Sequence, residues 1–330
     1  SLPSRGLGDV YKRQDRCCAD SHHNSCGHAL KRHGDESAGR PDAKGHTSCS
    51  KGSVRIASWN VNSVRTRLDH VLAWLDRSDV DLLALQETKV DNPLFPLEPF
   101  QSRGYEVSID GQKSYNGVAL ISRHPLEDVR VGFSGELQND DVAADLSEQK
   151  RVISALVDGI RVVDLYVPNG SSLTSEKYSY KLAWLGCLER YLRQLQSRDE
   201  PLCVVGDFNI GPEDRDLHDP DRLTGGIMAT EAERLALTQA LGADLKDAFR
   251  LFESSSGHWS WWDYRSGAWN RDAGWRIDHI YLSSDLQELA RSCSIDKQER
   301  GLEQPSDHAP VVVDLAWEDD EEADEDTFNV

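Results

Sequence analysis

Five stretches of this 330-residue chain run apolar for several residues and then break on, or open from, a carboxylate, an amide or an imidazole. They are Trp59-Asn60-Val61-Asn62, Leu85-Gln86-Glu87-Thr88-Lys89, Gly206-Asp207-Phe208-Asn209, Arg276-Ile277-Asp278-His279 and Pro305-Ser306-Asp307-His308-Ala309-Pro310. Apolar runs of this length predict buried strands. A buried strand that ends on a polar residue delivers that residue to the rim of a sheet. One such end is ordinarily a structural ion pair or hydrogen bond. Five together predict a shared site, and the groups they carry predict a metal-assisted hydrolase.

The remaining elements narrow the architecture. Strands are predicted over Val54–Trp59, Val80–Leu85, Gly104–Ile109, Gly117–Ser122, Arg151–Val157, Ile160–Val167, Pro201–Gly206, Trp259–Tyr264, Ile277–Leu282 and Ala309–Ala316. Asp158-Gly159 reads as a hairpin turn. Thr66-Arg67-Leu68-Asp69 resembles a capping box, with Leu68, Val71, Leu72 and Leu75 on one helical face behind it. A helix is predicted over Thr174–Gln196, with Leu182, Leu185, Leu188, Leu192 and Leu195 as its buried stripe. Thr230-x-x-Glu233 caps another that runs through Leu241. Hairpins and helices mix without a regular βαβ rhythm. That favours an α+β sandwich, two sheets packed face to face with helices outside, over a doubly wound sheet.

Charge marks off the ends of the chain. The net −20 divides into +3 over residues 1–52, −15 over the middle and −8 over residues 318–330. Residues 1–52 lack apolar periodicity and read as a disordered, non-native leader. Cys17, Cys18, Cys26, His22, His23 and His28 within it match no zinc-finger spacing. Residues 318–330 read as a mobile acidic tail. An acidic body argues against broad charge-driven nucleic-acid binding but not against a local basic rim. No apolar run reaches the ~18 residues of a membrane span, and a soluble monomer is expected. Cys187, Cys203 and Cys293 lie far apart in the body, which predicts reduced thiols and a cytoplasmic protein.

The polar groups themselves indicate the chemistry. Oxygen donors without clustered thiols select a hard cation, Mg²⁺ or Mn²⁺. A carboxylate such as Glu87 at the end of a buried strand is costly unless a cation or a hydrogen-bond network relieves it. His308 is a candidate acid–base or electrophilic centre, with Asp278 a candidate partner that orients the ring and favours its charged form. Asp207 and Asn209 stand two apart, as do Asn60 and Asn62. In extended backbone each pair points to one side.

In this order, these blocks resemble the exonuclease III family of abasic-site endonucleases, within the endonuclease/exonuclease/phosphatase superfamily. Tyr166-Val167-Pro168-Asn169 and Trp261-Trp262-Asp263-Tyr264-Arg265 belong to the same match, which runs from Val54 to Trp317. The resemblance implies that residues 53–317 form one endonuclease/exonuclease/phosphatase domain, a four-layer DNase I-like α/β sandwich. It also implies roles. Glu87 would be the main metal ligand, with Asn60 and Asp307 beside it and Asn62, Asp207 and Asn209 as further candidates. Asn62 stands where some relatives carry Asp. Asp207 would activate the attacking water. Asn209, Asn169 and Tyr166 would contact the target phosphate, and His308 paired to Asp278 would stabilise the transition state or act as acid–base.

The substrate the resemblance implies is double-stranded DNA with abasic sites or blocked 3′ ends. An abasic nucleotide has lost its stacking and is cheap to extrude. Trp261, Trp275 and Ile277 would shape a small pocket for it. Because a strand alternates faces, only one of Trp261 and Trp262 should reach DNA, and the match favours Trp261. Lys89, Lys113, Arg123, Lys150 and Arg151 are candidate phosphate contacts. The expected reaction is hydrolysis of the phosphodiester 5′ to an abasic site, leaving a 3′-hydroxyl, with 3′→5′ exonuclease and 3′-phosphatase activity. The alternatives are a phosphodiesterase of the same fold with another substrate, and a catalytically dead DNA-binding protein.

Overall fold

Short runs rich in Val, Ile, Leu and Ala become strands, and their order sets where the chain's polar residues meet. The structure is a computed structural model and describes residues 52–198 and 200–317. The strands are β1 (Ser53–Asn60), β2 (Leu82–Gln86), β3 (Glu106–Asp110), β4 (Val118–Ser122), β5 (Glu127–Val131), β6 (Val152–Val157), β7 (Ile160–Tyr166), β8 (Leu202–Asp207), β9 (Lys246–Asp247), β10 (Asp278–Leu282), β11 (Ala290–Ile295) and β12 (Val311–Ala316). They form two six-stranded sheets. The first runs β11-β12-β1-β2-β4-β3 and the second β5-β6-β7-β8-β10-β9.

Both sheets mix parallel and antiparallel pairs, and this mixing gathers the strand ends. β1 and β2 are parallel, so Asn60 lies level with Gln86. β12 is antiparallel to β1, so its entry from His308 lies near the exit of β1. In the second sheet β7 and β8 are parallel, with Tyr166 level with Asp207. β10 is antiparallel to β8 and places Asp278 level with Asp207.

The inner faces supply one apolar core, with Ile56, Leu82 and Leu120 from the first sheet meeting Ile153, Val162, Val205 and Ile280 from the second. Outside the first sheet, helix Leu68–Ser78 buries Val71, Trp74 and Leu75. Outside the second, helices Glu176–Gln196 and Glu231–Leu241 bury Trp184, Leu185, Leu188 and Leu237. The result is the expected four-layer α+β sandwich, because each sheet has an apolar face on both sides to cover. No helix among the described residues is long and apolar enough to cross a membrane.

Several local expectations hold. Thr230 and Glu233 form a reciprocal capping box. Asp158 and Gly159 both adopt positive φ, 48° and 80°, and close the β6–β7 hairpin. Cys187, Cys203 and Cys293 are buried free thiols.

Other local expectations fail for identifiable reasons. The Thr66 box does not form: Arg67 is the N-cap, without a side-chain capping bond. Thr66 Oγ1 instead meets Ser63 Oγ at 3.0 Å. The segment Trp259–Tyr264 is not a strand. Trp261 makes single bridges to Trp275 and His308, wedged between two other segments. Just beyond it, the Asp263 carboxylate accepts from the Arg265 N–H at 2.8 Å and turns the chain. The readings of residues 1–51 and 318–330, including the Cys/His-rich stretch, lie outside the described residues.

Candidate active site

Asn60, at the exit of β1, links the two sheets. Its Nδ2 donates to Glu87 Oε1 and to Asp207 Oδ2, both at 2.9 Å. One amide therefore holds the carboxylate of the first sheet against that of the second.

Glu87 follows β2 directly and has φ of 53°, in the left-handed region. Besides Asn60, its Oε1 accepts from the Tyr166 hydroxyl at 2.8 Å. Its Oε2 lies 2.7 Å from Lys89 Nζ. Burial acts to raise the Glu87 carboxyl, but the Lys89 ammonium and the Asn60 amide outweigh burial and hold it below the ordinary range. Burial, then the nearby Glu87 charge, pushes the Tyr166 phenol well above its usual value and keeps it a donor. Arg151 stacks its guanidinium 4.6 Å from the Tyr166 ring centroid and donates to the Tyr166 carbonyl at 3.2 Å.

Asp207 ends β8. Gly206 before it has φ of 146°, and a Cβ there would stand 2.0 Å from the Leu165 carbonyl oxygen, so only glycine lets β7 approach so closely. Asp207 Oδ1 accepts from the Asn209 main-chain N–H at 2.9 Å, and Oδ2 from Asn209 Nδ2 at 3.1 Å. Asn209 Oδ1 in turn accepts from Asn169 Nδ2 at 2.9 Å. Extended backbone is not what brings Asp207 and Asn209 together. Asn209 adopts φ of 49° and folds back onto its neighbour, and Asn62, at 44°, does the same beside Asn60.

His308 leads into β12, yet its ring belongs to the second sheet's chemistry. Nδ1 meets the Asp278 carboxylate at 2.9 and 3.0 Å, and Nε2 faces Asp207 Oδ2 at 3.8 Å. Burial alone would favour a neutral ring. The charges of Asp278 and Asp207 overcome it and raise His308 to about 10. Burial likewise pushes Asp207 up to about 7, against the pull of the His308 charge. Ser260 fixes Asp278 from behind: its Oγ donates to Oδ2 at 2.6 Å and accepts from the Ile277 and Asp278 N–H groups at 3.0 Å.

Asp207, Asp278 and His308 lie close enough to be considered as a metal-binding triad. The hydrogen bonding suits a proton network instead, since His308 Nδ1 is held by the Asp278 carboxylate and both Asp207 oxygens accept from amides. The oxygens that fit a hard cation lie on the other side. Lys89 Nζ sits 2.7 Å from Glu87 Oε2 and 2.5 Å from Asn62 Oδ1, so these oxygens already converge on a positive charge. Asp307 adjoins them, with Oδ1 accepting from Asn62 Nδ2 at 3.0 Å and Oδ2 from Trp261 Nε1 at 3.0 Å. Both Asp207 oxygens are engaged by amides, and Asn209 Oδ1 is taken by Asn169.

The remaining predicted residues separate. Trp262 is fully buried and donates to Asp272 at 3.0 Å, while Trp261 is half-buried beside the site. Trp275 and Ile277 are packed with Leu217 and Met228 in a small apolar cluster next to it. Arg123 follows β4 at the end remote from Glu87 and pairs with Asp79, which removes it from the site. Ser260 was missed in the sequence, where a serine among three tryptophans carries no signal of its own. Lys181 was also missed, although its phase with Trp184, Leu185 and Leu188 places a lysine on a core face.

The Endonuclease/Exonuclease/phosphatase family matches residues 57–308 of the chain. Exodeoxyribonuclease III of Haemophilus influenzae is 33% identical over 274 residues, covering 79% of this chain and all of that protein. DNA repair nuclease APEX1 of Danio rerio is 31% identical over 270 residues, covering 80% and 83%. Among solved structures, the 3′-5′ exonuclease NExo of Neisseria meningitidis is 38% identical with a TM-score of 0.75, covering 80% of this chain and all of that one. An AP endonuclease from Archaeoglobus fulgidus is also 38% identical, with a TM-score of 0.73 over 79% and 98%. With its fold, its strand-end residues and these relatives in agreement, the chain belongs to the Endonuclease/Exonuclease/phosphatase family.

Proposed function

We propose that this protein is a DNA-repair phosphodiesterase that hydrolyses the bond 5′ to an abasic site in duplex DNA and leaves a 3′-hydroxyl. It uses the same site for 3′→5′ exonuclease and 3′-phosphatase activity. The observation that carries this reading is the convergence of the Glu87 carboxylate, the Asn169–Asn209 amide pair and the Asp207···His308–Asp278 network across one Asn60 amide. The relatives support it: their names include an exodeoxyribonuclease III, a DNA repair nuclease and an AP endonuclease. Another is described as a 3′ phosphatase bound to product DNA hairpin. Neither the site nor the relatives support the two alternatives.

Glu87, Asn60 and Asp307 would hold a hard divalent cation, Mg²⁺ or Mn²⁺, with Asn62 adjoining. When bound, it supplies Lewis-acid neutralisation of phosphate charge. The bonded Asn169–Asn209 amide pair lies at the target phosphate, and the Tyr166 hydroxyl, which donates to Glu87 Oε1 at 2.8 Å, borders the same phosphate. Asp207, poised near neutrality, accepts a proton from the attacking water. His308, kept charged by Asp278, faces the same point and stabilises the negative charge of a pentacovalent phosphorane. The 3.8 Å between His308 Nε2 and Asp207 Oδ2 is too long for a direct hydrogen bond. We assign that gap to the reacting oxygens. Trp261 beside Asp307 borders the abasic sugar.

The test is a duplex with one tetrahydrofuran abasic analogue and a second duplex with a 3′-phosphate, each assayed in Mg²⁺ and in chelator. Mg²⁺-dependent nicking immediately 5′ to the analogue is expected, together with release of the 3′-phosphate. No incision of the first duplex in any metal would overturn the abasic reading. Activity on the second alone would leave an enzyme of 3′ ends.

A further inference from the structure

Behind the site lies an ion pair from which solvent is excluded. Lys181, on helix Glu176–Gln196, and Glu233, on helix Glu231–Leu241, are both 0% exposed, with Nζ 2.6 Å from Oε1. Every polar atom of the pair is engaged. Lys181 Nζ also donates to the main-chain carbonyls of Asn209 at 2.7 Å and Asn169 at 3.4 Å. Glu233 accepts from the N–H groups of Met228 and Thr230 at 3.1 and 3.0 Å and from Thr230 Oγ1 at 2.8 Å. Gly170 leaves room for the lysine stem: a Cβ there would stand 3.3 Å from Lys181 Cδ.

A buried ion pair seldom adds net stability over apolar residues of the same volume, so its presence asks for another account. Its contacts supply one. The ammonium touches the carbonyls of the two residues whose side-chain amides bond each other at 2.9 Å in the site. Both belong to turns rather than strands. Asn209 has φ of 49°, and Gly170, next to Asn169, has φ of 90°. No sheet ladder runs through these turns; the Asn209 Nδ2 bond to the Val167 carbonyl at 3.0 Å joins them from the side chain, and the ammonium bridges their carbonyls.

We propose that the Lys181–Glu233 pair is a positioning device, fixing Asn169 and Asn209 through their carbonyls so that the bonded amide pair is held in place at the scissile phosphate. This rests on the reading of those amides as phosphate contacts. Lys181 and Glu233 touch no reacting atom themselves.

Removing Lys181 alone strands a buried carboxylate and endangers folding, so the deciding variant is the double change Lys181→Met with Glu233→Met. It replaces both charges with apolar side chains of similar length. Turnover on the abasic duplex is expected to fall about 10- to 100-fold while KM changes less than about 3-fold, the pattern of misplaced groups. In ¹⁵N spectra the Asn169 and Asn209 side-chain NH₂ signals are expected to shift and broaden, in a variant that stays folded but melts at a lower temperature because the Met228 and Thr230 N–H groups lose their acceptor. A folded double variant with parental turnover, or with unmoved amide signals, overturns the proposal. If the parent protein cuts no abasic duplex, the proposed function fails, and the amide signals still decide this inference.

Discussion

At the shared rim, the first sheet presents Glu87, whose carboxyl Lys89 and Asn60 hold low against burial, whereas the second presents Asp207, which burial pushes up to about 7. Both carboxylates end buried strands and both accept from Asn60 at 2.9 Å. Their neighbours make the difference. Glu87 has an ammonium within 2.7 Å, while Asp207 faces two carboxylates and an imidazole it shares with Asp278. One half of the site therefore stays anionic and suits a cation. The other half keeps a proton within reach. A phosphodiesterase needs both, and two sheets supply them without one cancelling the other.

The largest expected effect comes from breaking the proton-holding half. His308→Ala or Asp207→Ala should each lower turnover by several orders of magnitude, with the double variant little worse than the poorer single one, because such groups act as a unit. Single-turnover incision of an abasic duplex measures this. Breaking the other half with Glu87→Gln should raise the Mg²⁺ concentration needed for half-maximal activity by about 10- to 100-fold or more. A Mg²⁺ titration, with Mn²⁺ binding followed by electron spin resonance, separates it from the first class.

Asp278→Asn sharpens the contrast through pH. His308 is raised to about 10 by Asp278 and Asp207, against burial. With the Asp278 charge removed, the ring should lose its proton nearer its ordinary value of about 6.5 or below. Activity of the variant should then decline through mildly alkaline pH, where the parent, with Asp207 deprotonating near 7 and His308 charged to about 10, rises through neutrality to a plateau. A parental pH profile would contradict the assigned role of Asp278.

The seam between the sheets offers a smaller test. Asp164 of β7 is fully buried, accepts from Gln86 of β2 at 2.6 Å, and has its carboxyl pushed well above the usual range by burial. A raised folded value means its contribution to stability is fully present below the unfolded pKa of about 3.9 and is lost as pH rises through the folded one. Asp164→Asn should gain up to about 1.4 kcal/mol over the parent for each pH unit above ~4, until the folded value is reached. Thermal melts across pH check the sign. Smallest of all, Arg123→Ala at the remote end of β4 should leave incision unchanged and alter stability by less than about 1 kcal/mol, as exposed pairs do.

How much of this was legible before folding follows from range. The strand ends at Asn60, Glu87, Asp207, Asp278 and His308 could be read because apolar runs and their polar stops are local patterns. The Thr230–Glu233 box and the Asp158-Gly159 turn were legible for the same reason. The Thr66 box was equally local, but Arg67 is drawn instead to the Asn62 and Pro305 carbonyls. The second of those contacts was settled by a segment more than two hundred residues away.

The sequence by itself determined the sandwich and the identity of the groups along its rim, since burial periodicity and residue type need no partner to be read. Only the tertiary structure decided which groups pair. Beyond the His308–Asp278 pair, which was already expected, it turned Asn62 and Asn209 back through positive φ and set Lys89 among the oxygens of the first sheet. It also sealed Lys181 and Glu233 beneath the amides. Pairing, charge state and burial depend on distances between strands remote in sequence, and those distances exist only once the two sheets have packed.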